Sequence, residues 1–118
     1  MNISLEQLYG IWRHEHNGVI TDFNVRVYDE QHHTGISMFT VYRWTDDGSE
    51  IIYEWHGVPE IINYPDLISD ISLHHLISTE ENLTYQNLKI WHFTNNLMIL
   101  EFGDGSRVEF QKLGADAG

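Results

Sequence analysis

Leu8-Tyr9-Gly10-Ile11-Trp12 opens the chain, and Leu97 to Phe102, Gly103-Asp104-Gly105 and Arg107 to Leu113 close it with a hairpin. Ser4 with Gln7 three positions later is a capping box, which predicts one helical turn over residues 5–9. Gly10 ends that turn, and the chain enters its first strand at Ile11. A short turn that runs through Gly-x-Trp into a meander of strands is how small closed β-barrels begin. A terminal hairpin is how they finish.

Working inward from these ends, the dominant period is two. Val19, Thr21, Phe23, Val25 and Val27 line one face, and Asp22, Asn24 and Arg26 the other. The next strand, Gly35 to Trp44, sets Ile36, Met38, Thr40, Tyr42 and Trp44 against Ser37, Phe39, Val41 and Arg43, with apolar residues on both faces. Asp46-Asp47-Gly48-Ser49 reads as a hairpin turn, since Gly and Asp accept positive φ. Beyond it, Ile51, Tyr53 and Trp55 are expected to point inward and Glu50, Glu54 and His56 outward.

Pro59 and Pro65 each lack a ladder donor, so residues 57–66 are expected to form a long loop or a poor edge strand. Ile68 to Ser78 resumes β character, Thr79-Glu80-Glu81-Asn82 is a turn, and Leu83 to Phe93 is a strand. Its alternation slips near Asn87, which suggests a bulge there. Asn95-Asn96 turns the chain into the final hairpin. The sum is an all-β fold: a single antiparallel, mostly up-and-down eight-stranded barrel with a short N-terminal helical turn. Closure is favoured because it removes edges. One domain is expected over residues 1–113, with 114–118 a disordered tail.

Charge is the strongest compositional signal. Eighteen acidic residues face six basic ones, a formal net charge of −12. Binding a phosphate backbone relies on Lys and Arg, so neither nucleic acid nor an anionic membrane surface is an expected partner. No apolar run is long enough to span a bilayer. The N-terminus carries no leader features, so a cytoplasmic protein is expected, and a monomer. With no cysteine there is no disulfide framework and no thiolate zinc site.

Eight histidines invite a search for metal ligands. His14 and His16 project from one strand face, and facing strands could bring His56 or His92 near them. No Asp or Glu at ligand spacing completes a site, so no metal is expected. There is no Gly-x-Ser-x-Gly elbow, no P-loop and no dinucleotide fingerprint. The chain is therefore expected to be non-catalytic and to need no cofactor.

Gly10 and Trp12, placed after a capped turn, make the chain resemble the calycin group of lipocalin-like and fatty-acid-binding-protein-like barrels. In that group the indole closes the barrel's base and a cation on the last strand lies over it. The resemblance implies that role for Lys112. It also implies a small apolar ligand inside the barrel, for which Phe23, Met38, Tyr42, Tyr53 and Phe102 are the candidate contacts. Against this, Trp12, Phe23, Met38, Tyr42, Trp44, Tyr53, Trp55, Leu100, Phe102, Val108 and Phe110 are all candidates for the interior. Aromatic side chains bury about 150–250 Å² each, enough to fill a small barrel.

The leading expectation is therefore a binding protein that works from its acidic exterior. Acidic residues in or beside turns (Asp46, Asp47, Asp66, Glu80, Glu81), with Glu54 on a strand, would surround apolar anchors at Ile61, Ile62 and Tyr64. Such a surface suits a basic protein partner. An immunity protein or inhibitor that caps the basic active site of a cognate nuclease-type toxin fits this pattern. The alternative is an intracellular carrier of a small apolar ligand.

Overall fold

The computed structural model describes the backbone of residues 2–29, 31, 34–65, 68–78 and 87–114. A single helical turn, α1 (Leu5–Leu8), precedes eight strands. These are β1 (Gly10–His16), β2 (Val19–Asp29), β3 (Thr34–Thr45), β4 (Gly48–Ile62), β5 (Ser69–Ser78), β6 (Asn87–Phe93), β7 (Leu97–Glu101) and β8 (Arg107–Gly114). Each strand pairs with the next, and β8 returns to β1, so the sheet closes in up-and-down order. The Ser4 N–H donates to Gln7 Oε1 at 2.8 Å, which fixes α1 at its start. Gly10 then takes a φ of 131°, a conformation that L side chains rarely adopt.

The interior is built from rows of facing residues. Phe23 sits opposite Phe39, and Phe39 opposite Trp55, so three aromatics cross β2, β3 and β4 in one row. Phe23 and Phe39 stack with centroids 4.2 Å apart, and Phe102 meets Phe39 edge-on at 6.1 Å. Ile71, Leu88, Ile90, Met98, Leu100 and Phe110 complete the buried wall, with Leu8 of α1 also fully buried. Among the described residues, the inward positions carry large apolar side chains of the barrel itself.

That row settles which face of β3 turns inward, and it is the face opposite to the expected one. Ser37, Phe39 and Val41 are buried, whereas Met38, Tyr42 and Trp44 lie on the outside. Both faces of β3 are apolar, so alternation within the strand could not choose between them. The neighbouring Phe23 and Trp55 do. On β4, Tyr42 faces Ile51 but Val41 faces Tyr53, which leaves Ile52 as an extra residue. This bulge keeps Tyr53 and Trp55 inward and turns Ile51 outward.

Of the loop and the poor edge strand expected for residues 57–66, the strand forms over 57–62, which belong to β4 and beyond Gly57 pair with β5. Pro59 is buried opposite Leu73 of β5, and the β3–β4 ladder ends at Gly57 opposite Ser37. The missing proline donor is therefore not needed on the β3 side. Among the described residues the β6 bulge falls at Trp91, between the pairs Ile90–Leu100 and His92–Ile99, four positions past the expected Asn87. β8 runs to Gly114, opposite Ile11, one residue past the expected domain end. The expected turn at 79–82, the first residues of the expected 83–93 strand and the tail beyond 114 lie outside the described residues.

Candidate functional site

The base of the barrel carries the closing constellation. Trp12 is fully buried and donates its Nε1–H to the Leu8 carbonyl at 3.0 Å, while Lys112 Nζ lies 5.2 Å from the ring centroid. Gly10, Trp12 and Lys112 thus stand together, with a cation over the indole face.

The five candidate ligand contacts do not. Phe23, Tyr53 and Phe102 turn toward the core, but Met38 and Tyr42 lie on the outer wall. Tyr42 is occupied there: its hydroxyl donates to Asp22 Oδ2 at 3.1 Å and accepts from Arg13 Nη2 at 2.9 Å. Arg13 also grips Asp22 in a two-pronged ion pair, at 2.7 and 2.9 Å. Partial burial, then the neighbouring Asp22, raises the phenol's pKa, and the bond to Asp22 raises that of the guanidinium.

The expected partner-binding residues also separate. Asp46 and Asp47 form the β3–β4 turn, while Ile61 and Ile62 end β4, so that strand's length, roughly 45 Å on the usual rise, lies between them. Glu54 stands midway, paired with His56 at 2.9 Å. Ile61 packs against the core instead of being displayed, and Tyr64 leans on Asp70 with its hydroxyl 3.4 Å from Oδ2. Asp66, Glu80 and Glu81 lie outside the described residues.

What stands out instead is the end of the β3–β4 hairpin. β2 pairs with β3 only as far as Arg43, and β5 pairs with β4 only from Trp55 onward. Among the described residues, the hairpin beyond those points is two-stranded, and every residue from 43 to 51 is exposed. Trp44 is 66% exposed and Ile51 57%. Trp44 meets Tyr42 edge-on at 5.7 Å, and Arg43 faces Glu50 at 3.7 Å. Two sequence signals bear on this outcome: a Trp beside an Asp-Asp-Gly turn, and a strand apolar on both faces.

His14 and His16 do share a face, their rings stacked 6.3 Å apart. His14 Nδ1 lies 3.1 Å from the Glu109 carbonyl oxygen. A cleft of about 630 Å³ opens here, where the β1–β8 ladder stops at Arg13 opposite Gln111. Among the described residues no group of three His, Asp or Glu side chains could hold a metal ion. Among the described residues no helix is long and apolar enough to cross a membrane. No known protein family, no curated protein and no solved structure matches the chain.

Proposed function

We propose that this chain is a non-catalytic, cytoplasmic, monomeric binding protein on a calycin-like barrel, and that its partner is a basic protein. The reading that fits best is an immunity-type inhibitor that covers the cationic active cleft of a nuclease-type toxin. One observation carries it: the few cations are already engaged, while the acidic excess is not offset. Arg13, Arg43, Lys89 and Arg107 each lie against a carboxylate, and Lys112 lies over Trp12. With a net charge of −12, such a surface attracts positive clefts and repels polyanions. The large apolar side chains that occupy the described inward positions favour an exterior role over the carriage of an apolar ligand.

Co-expression with a basic nuclease-type toxin domain encoded beside the gene tests the reading. The expected result is a one-to-one complex, loss of toxicity, and an association rate that falls steeply with added salt. An association rate indifferent to ionic strength would remove the electrostatic argument. A small apolar molecule retained in native mass spectrometry would favour the carrier.

A further inference from the structure

We infer that the projecting end of the β3–β4 hairpin is the docking element, and that it reads arginine side chains lining a concave, basic cleft of the partner. This inference rests on the basic-partner reading above and assigns it a surface. Among the described residues the tip is two-stranded and exposed throughout residues 43–51, a convex shape whose counterpart is a cleft.

Its chemistry is selective. The indole of Trp44 is the most exposed of the large apolar side chains, and Ile51 is the next. An exposed indole face attracts a guanidinium, and a carboxylate beside it accepts that group's N–H bonds in a planar pair. Asp46 and Asp47 supply such carboxylates one turn away. Across the tip, Asp46, Asp47 and Glu50 stand against the single cation Arg43.

The tip is also braced. Trp44 rests edge-on against Tyr42, and Tyr42 is held by its hydroxyl between Arg13 of β1 and Asp22 of β2. An exposed anchor that is already positioned loses little freedom on binding, which is what the central residues of tight interfaces share. The Arg13–Asp22–Tyr42 network is thus a positioning device for an indole that is two-thirds exposed.

Titration of the isotope-labelled full chain with an octa-arginine peptide at low salt, followed by amide chemical shifts, tests the assignment. The expected perturbations are saturable and centred on residues 43–51. Trp44→Leu, which keeps apolar bulk without a ring, should weaken binding about fivefold or more. Asp46→Asn with Asp47→Asn should weaken it likewise, while Asp104→Asn, in the β7–β8 turn four strands round the same end of the barrel, should not. An octa-lysine peptide should bind less tightly than octa-arginine. Saturable binding that maps to other faces, or that Trp44→Leu leaves unchanged, would overturn the hairpin assignment and leave the basic-partner reading standing. No saturable binding at low salt would overturn both.

Discussion

Trp12 does for this barrel what a keystone does for an arch. It is fully buried, bonded to Leu8, packed on Phe93 at 5.5 Å and covered by Lys112. Trp12→Ala should therefore lower the unfolding free energy by about 3–5 kcal/mol, read by urea denaturation. Lys112→Gln should cost less, about 0.5–2 kcal/mol, because only the cation over the ring is lost. A second residue-scale test concerns Asp104, whose Oδ1 accepts from both the Ser106 N–H (3.0 Å) and its hydroxyl (2.6 Å). These bonds hold its carboxyl below the ordinary range, so their contribution is present at neutral pH and is lost as pH falls through the lowered value. Ser106→Ala should move the Asp104 titration upward, toward an ordinary carboxylate, in an NMR pH series. Gly10 and Trp12 were legible in the sequence because a capped turn precedes them, and Lys112 only through the resemblance to calycin-like barrels. Met38 and Tyr42 were not, since their facing depends on partners in other strands.

At the scale of elements, the turns carried most of the legible signal. The Asp46-Asp47-Gly48 turn forms as expected, with Gly48 at a φ of 131°. Asn17 and Gly18, both at positive φ, make the β1–β2 connection with the residue pair that such turns favour. The prolines left a loop and a poor edge strand open, and the second holds for Pro59, which sits where one ladder has already ended. That continuation of β4 delivers Asn63 to the N-terminal segment. Its side chain accepts from the Ile3 N–H and donates to the Ile3 carbonyl, both at 2.9 Å, and it also accepts from Ser69 at 2.6 Å. One amide thus imitates a strand partner and ties the segment before α1 to the end of β4. Asn63→Ala should cost about 1–2 kcal/mol and speed hydrogen exchange at the Ile3 amide far more than at Phe23. Equal acceleration at both amides would mean that the clasp is part of global unfolding. Gly35 belongs to the same end: an added Cβ would lie 3.2 Å from the Arg26 carbonyl and 3.3 Å from Leu5. That carbonyl is held in the sheet, so Gly35→Ala should push α1 outward and lower the melting temperature.

For the whole molecule, the same charge acts on stability and on binding with opposite signs. Among the described residues the ion pairs are mostly exposed, and pairs of that kind contribute little each. The larger effect is mutual repulsion among carboxylates that have no cation to face, which weakens the compact state. Added salt screens that repulsion, since the screening length falls to about 8 Å at physiological ionic strength. The melting temperature should therefore rise as sodium chloride is increased from a few millimolar into the physiological range. Over the same range, association with a basic partner should slow. A melting temperature that falls with salt would show that attraction within the ion pairs outweighs repulsion across the surface. The acidic excess would then be stabilising the fold, and it could not be set aside for a partner.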